Sequence, residues 1–153
     1  MNMRSLIKSC LNILLYHSLK KKAYYLLMAG FMNAKILVVD DEPDILLLAQ
    51  RLLEGAGYQV ITASDGEEAL QKIYTENPQI VLLDIIIPKK DGYAVCQEVK
   101  LNEKFHHTVI IMFTVKTFDA ERERGFQVGA NYYLTKPFAG KELISLIQKV
   151  LEN

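Results

Sequence analysis

Ile36-Leu37-Val38-Val39-Asp40-Asp41-Glu42-Pro43 decides how this chain folds. A continuous run of Leu and β-branched residues marks a strand buried on both faces. Three acids follow it at once, then a proline whose missing N–H suits the first turn of a helix. The same change of character recurs three times. Gln79 to Leu83 runs into Asp84, Val109 to Phe113 into Thr114, and Tyr132 to Thr135 into Lys136 and Pro137. In an open parallel sheet, ligands bind outside the carboxyl ends of the strands. Polar residues at four strand ends therefore converge on one place. A carboxylate cluster there holds a hard cation, and a carboxylate beside that cation can act as a nucleophile toward phosphorus.

Working outward, strand and helix alternate five times. Helical spacing of apolar residues covers 44–54, with Gly55 and Gly57 available to end it. Residues 58–62 read as a second strand. Asp65 caps a helix over 66–74, with Glu68 placed as in a capping box, and Asn77-Pro78 breaks it. Strand 79–83, helix 93–101, strand 108–113, helix 119–128, strand 131–134 and helix 140–151 follow. This alternation predicts βαβ units, an α/β fold and a parallel sheet.

Residues 32–153 carry thirteen Lys plus Arg against eighteen Asp plus Glu, a net of −5. An acidic domain lacks the electrostatic footprint of direct nucleic-acid binding. Cys10 and Cys96 form neither a metal spacing nor a disulfide framework, which fits a reducing, cytoplasmic setting. Residues 1–31 form a basic, apolar extension with five Lys plus Arg and no acid. Its apolar stretches fall short of the roughly 18 residues of a spanning helix, so a membrane span is not expected. The leading expectation is an over-extended or disordered start, with Met28 or Met32 as initiator. A surface or partner helix and a cleaved signal are the alternatives.

The stretches Ile36 to Glu42, Val81 to Pro88, Asp91-Gly92, Phe113-Thr114 and Gly129 to Phe138 together resemble the receiver domain of two-component response regulators. The resemblance covers residues 34 to 152. It implies a doubly wound, flavodoxin-like sheet of five parallel strands in the order 2-1-3-4-5, with helices on both faces. It implies that Asp84 accepts a phosphoryl group from a phosphohistidine on a sensor histidine kinase or phosphotransfer protein. Asp41 would bind Mg²⁺ directly, supported by Asp40, with Asp84 and the backbone carbonyl of Ile86 completing the protein ligands. Thr114 would donate a hydrogen bond to the phosphoryl group and Lys136 would pair with it. Tyr133 would change rotamer on loading, and Pro137 would follow a cis peptide bond. Thr114, Tyr133 and Pro137 would form the switch. The output would be a downstream effector protein meeting the fourth helix, fifth strand and fifth helix, with homodimerisation on phosphorylation as a further expectation. Such a chain catalyses its own phosphorylation and dephosphorylation but is chiefly a signalling switch.

The residues support the same chemistry. Three close carboxylates repel and call for a divalent cation, and Mg²⁺ takes one or two carboxylates plus water and phosphate oxygens. Taken singly, Asp40, Asp41, Asp84 and Lys136 read equally well as strand-end caps or surface ion pairs; five motifs in register do not. Departures from the family pattern are Val115, where Ala or Gly is usual, and Asn131-Tyr132 in place of a frequent Asp-Asp. With no effector expected after Asn153, the chain reads as a stand-alone receiver. A haloacid-dehalogenase-like hydrolase would need a second Asp two residues after Asp84, where Ile86 stands. A flavodoxin-like flavin binder would need a Ser/Thr/Gly-rich phosphate loop where Asp40-Asp41-Glu42-Pro43 stands. A non-phosphorylated, receiver-like docking module remains the alternative function.

Overall fold

The computed structural model describes residues 17, 19, 20, 33–115 and 119–153. The chain divides into two units, Met1–Met32 and Asn33–Asn153. Of the first, only His17, Leu19 and Lys20 are described, and these are helical. The expectations about the 1–31 extension therefore lie outside the described residues.

In the second unit the strands are β1 (Lys35–Val39), β2 (Gln59–Ala63), β3 (Ile80–Leu83), β4 (Val109–Val115) and β5 (Tyr132–Lys136). The helices are α1 (Pro43–Gly55), α2 (Gly66–Glu76), α3 (Gly92–Leu101), α4 (Asp119–Gln127) and α5 (Gly140–Glu152). All strand pairs are parallel and the order is β2-β1-β3-β4-β5, as the resemblance implied. β3 is buried throughout and β1 from Ile36 onward, which is why their sequences are unbroken apolar runs.

Alternation along the strands divides the core in two. Ile36, Val38, Ile80, Leu82, Ile111 and Phe113 face Leu53 of α1 and Leu143 and Ile147 of α5. Leu37, Val39, Val81, Leu83, Ile110 and Met112 face Ala69 and Ile73 of α2 and Val95, Cys96 and Val99 of α3. Cys96 is core, and burial pushes the pKa of its thiol up to about 11.

Helix ends follow local chemistry, with two departures from expectation. Asp65 accepts from the amides of Glu67 and Glu68 at 3.0 and 2.9 Å. The Glu68 carboxylate turns back to the Ser64 amide at 2.8 Å rather than to the cap residue's own N–H, so the box is displaced by one residue. Gly55 lies inside α1 instead of ending it; Gly57, at φ 94°, makes the turn that only glycine adopts freely. A Cβ on Gly55 would meet nothing within 4 Å. Gly55→Ala is therefore expected to stabilise the fold by about 0.4–1 kcal/mol, by restricting the unfolded chain. Urea denaturation of the two proteins checks this.

Candidate functional site

Strand register assembles the site. β1 and β3 are hydrogen-bonded neighbours whose last residues, Val39 and Leu83, are in register. The chain leaves β1 toward α1 and β3 toward α3, so a crevice opens between the two connections at the sheet's switch point. Asp40 and Asp84 are the next residues on each strand. Their amides donate to Ala63 O at 3.1 Å and Val39 O at 3.0 Å, so sheet-type bonding continues through both. Ligand oxygens of Asp40, Asp41 and Asp84 come within 4.8 Å of one another, with Asp40 and Asp84 buried and Asp41 exposed.

Lys136 is the counter-charge. It is buried on β5, its ammonium donates to Asp84 Oδ2 at 2.8 Å and contacts Asp40 Oδ2, and Glu42 Oε1 lies 3.9 Å away. The ammonium also stands 4.9 Å from the centre of the Phe113 ring. Burial by itself would depress the Lys136 pKa, but its bonds to Asp40 and Asp84 outweigh that and raise it. Two buried carboxylates share this one ammonium. Burial raises the Asp40 pKa despite the Lys136 contact and a 3.0 Å bond from the Glu42 amide. Such a cluster fits a small divalent cation, because the donors are hard oxygens short of positive charge.

A carboxyl whose folded pKa is raised contributes stability that is complete below its unfolded value and is lost as pH rises through the folded value. At neutral pH, ionised Asp40 therefore costs the metal-free protein stability. Asp40→Asn is expected to be more stable than the natural protein in chelator, by a margin that grows from pH 4 to 7. It should also gain less stability when Mg²⁺ is added. Urea melts across that range measure both effects.

The other expected residues are placed as follows. Thr114 is buried on β4 beside Thr135, and Val115 pairs with Lys136. Both Thr114 and Lys136 lie within strands, not after them. The Ile86 amide donates to Asp84 Oδ1 at 3.3 Å, while its side chain is 73 % exposed. The Lys136–Pro137 peptide is cis. Tyr133 is half-buried, its hydroxyl donates to Glu121 O at 3.3 Å, and burial pushes its pKa up to about 12.

The Asn131 departure has a visible use. Its Oδ1 accepts from Lys100 Nζ and from the Ile110 amide, each at 2.9 Å, tying α3 to the start of β5.

Sequence reasoning missed two neighbours of the site. Glu42 is, in sequence, only part of a motif, and its approach to Lys136 depends on a residue 94 positions away that no local pattern reports. Tyr93 stands, in sequence, only at the start of a helix. The aromatic directly after Asp91-Gly92 was the available signal, and its hydroxyl donates to Glu121 O at 3.0 Å.

Comparison with known proteins agrees with this geometry. Residues 36–148 match the family model of the response regulator receiver domain. The chain is 45 % identical over 122 residues to the alkaline phosphatase synthesis transcriptional regulatory protein PhoP of Bacillus subtilis. That match covers 80 % of this chain and 50 % of PhoP, so the chain spans about half the length of that relative. The chemotaxis response regulator CheY4 of Vibrio cholerae is similar in structure, with a TM-score of 0.74 and 34 % identity over 77 % of this chain and 98 % of that one. So is the receiver domain of the sensor histidine kinase PA1611 of Pseudomonas aeruginosa PAO1, which has a magnesium ion coordinated in its active-site cleft. Its TM-score is 0.74 and its identity 30 %, over 79 % of this chain and 99 % of that one.

Proposed function

Since this chain belongs to the response regulator receiver domain family, we propose that Asp84 is its phosphoacceptor. The observation that carries the reading is the Asp84 carboxylate at the end of β3, held 2.8 Å from the Lys136 ammonium and beside Asp40 and Asp41.

A carboxylate oxygen of Asp84 attacks the phosphorus of a phosphohistidine on a sensor kinase or phosphotransfer protein. The P–N bond breaks, the imidazole leaves with its electron pair, and an acyl phosphate forms on Asp84. Asp40, Asp41, Asp84 and the Ile86 carbonyl are the residues that would hold Mg²⁺. When bound, that ion offsets charge on the phosphoryl oxygens. Lys136 pairs with one of those oxygens and Thr114 donates a hydrogen bond to another. Val115, 57 % exposed beside Lys136, narrows access for water and slows loss of the phosphate.

Moving a two-state population from 1:99 to 99:1 takes about 5.5 kcal/mol of differential interaction. One hydrogen bond to a charged group contributes roughly 1.5–3 kcal/mol. Both Thr114 and Lys136 are therefore needed for a full shift. Tyr133, with Pro137 fixing the chain after Lys136, carries the change to a surface of α4, β5 and α5 that meets an effector protein or a second copy of the chain. With a net charge of −5 over 32–153, contact with protein rather than nucleic acid is the proposed output of these residues. Cytoplasmic localisation belongs to the same reading; among the described residues no helix is long and apolar enough to cross a membrane.

The test is to incubate the full chain with Mg²⁺ and acetyl phosphate and record the intact mass. The expected result is a gain of one phosphoryl group that needs Mg²⁺ and is absent in Asp84→Asn. A folded protein that gains none, and whose NMR spectrum ignores beryllofluoride, would instead be a docking module.

A further inference from the structure

The connection from β2 to α2 touches both halves of the carboxylate cluster. Ala63 O accepts from the Asp40 amide at 3.1 Å, and the Gly66 amide donates to Pro88 O at 3.2 Å. Pro88 lies in the segment Asp84 to Gly92, which joins β3 to α3 and carries Ile86, whose carbonyl is a proposed Mg²⁺ ligand. The two segments meet closely, since a Cβ on Gly66 would stand 2.0 Å from Lys90 O. Ile85 and Ile87 are anchored in the core, with the exposed Ile86 between them.

Beyond Ile87 the chain turns sharply. The Lys90 amide donates to Pro88 O at 2.8 Å, which closes a three-residue turn around Lys89. Lys89 has a φ of 67°. A three-residue turn with positive φ at its centre is the rare, strained form. Such strain persists only where surrounding contacts over-determine it. Here one contact is an ion pair to α2. Asp65 divides its carboxylate: Oδ1 accepts from the amides of Glu67 and Glu68, and Oδ2 takes the Lys89 ammonium at 2.7 Å. Glu67 Oε2, at 4.0 Å, is a more distant partner of the same ammonium. Lys90 reaches the other way, to Glu98 of α3.

We propose that Lys89 and Asp65 are positioning residues for the Mg²⁺ site: their ion pair holds the strained turn after Ile87 and so keeps the Ile86 carbonyl where the carboxylate cluster can use it. The inference rests on the Mg²⁺ ligation proposed above. It carries a sign that charge alone does not give. Lys89 is a cation in the segment that supplies a Mg²⁺ ligand, so by charge alone its removal would tighten Mg²⁺ binding. If it acts by holding the turn, its removal weakens binding, because apparent affinity falls with the fraction of protein in the competent conformation.

The experiment titrates Mg²⁺ into the full chain and follows the Ile86 amide resonance, at about 0.15 M salt so that distant exposed charges are screened. Four forms are compared: natural, Lys89→Met, Asp65→Asn and the double variant. Methionine keeps the length of the lysine and the backbone cost of the turn but has no ammonium. Asparagine keeps an oxygen to cap α2 and loses the charge that pairs with Lys89. Each single variant is expected to weaken Mg²⁺ binding roughly 1.5- to 5-fold, the worth of one partly exposed ion pair. The double variant is expected to lose no more than either single one, because only one contact is broken. Unchanged or tighter binding by Lys89→Met overturns the proposal, and so do losses that add in the double variant. A natural protein whose Ile86 amide ignores Mg²⁺ would show the ligation reading itself to be wrong, and this inference goes with it.

Discussion

Lys136→Met is expected to cost the metal-free protein about 3–5 kcal/mol, the penalty for removing one partner of a buried ion pair. The methionine fills most of the lysine's volume, so the loss reports charge and not a cavity. Asp40 and Asp84 would then stand buried and adjacent with no ammonium between them. The carboxyl of Asp40, already raised by burial, would rise further. Lowering the pH through that raised value protonates it and restores stability, and Mg²⁺ at neutral pH does the same by supplying the missing charge. Urea melts at pH 7 in chelator, at pH 5, and with Mg²⁺ measure all three. A variant as stable as the natural protein in chelator would mean that Lys136 is solvated and that the cluster does not depend on it.

Gly92→Ala is expected to be strongly destabilising. The added methyl would meet backbone on two residues, the Asp84 carbonyl and Ile85 Cα, and no flexible side chain is there to give way. Overpacking of this kind costs about 3 kcal/mol. Because the displaced backbone belongs to Asp84, a member of the carboxylate cluster, and to its neighbour, Mg²⁺ affinity should fall along with stability. Gly55→Ala is the control, since the same chemical change there meets open space. Thermal melts with and without Mg²⁺ compare the two variants. Equal Mg²⁺ responses in both would show that Asp84 is not positioned through Gly92.

The fold was legible because its central strands bury both faces, and such strands can only be written as unbroken apolar runs. Ile36 to Val39 and Ile80 to Leu83 follow that rule, and the acids after them mark the sheet's functional edge. The same rule ended the fourth strand too early. β4 continues through Thr114 and Val115, and β5 through Lys136, because site residues are polar where they face the crevice. A polar residue inside a strand looks, in sequence, like the strand's end. The displaced cap at Glu68 has a related cause: Ser64 offers both an amide and a hydroxyl, at 2.8 and 3.0 Å, and outcompetes the cap residue's own amide. The meeting of Tyr93 with Glu121 depends on how α3 and α4 pack across 28 residues, which no local pattern encodes.

Lys136 belongs to β5, an edge strand that among the described residues pairs with β4 alone, whereas Asp40 and Asp84 extend β1 and β3 at the middle of the sheet. Local opening spares the centre of a fold and begins where backbone pairing is one-sided. Amide exchange in β5 should therefore run faster than in β1 and β3. Fraying of the edge can then carry the ammonium away while both carboxylates keep their places. The anionic half of the site is as durable as the whole domain, and its cationic half is only as durable as one strand.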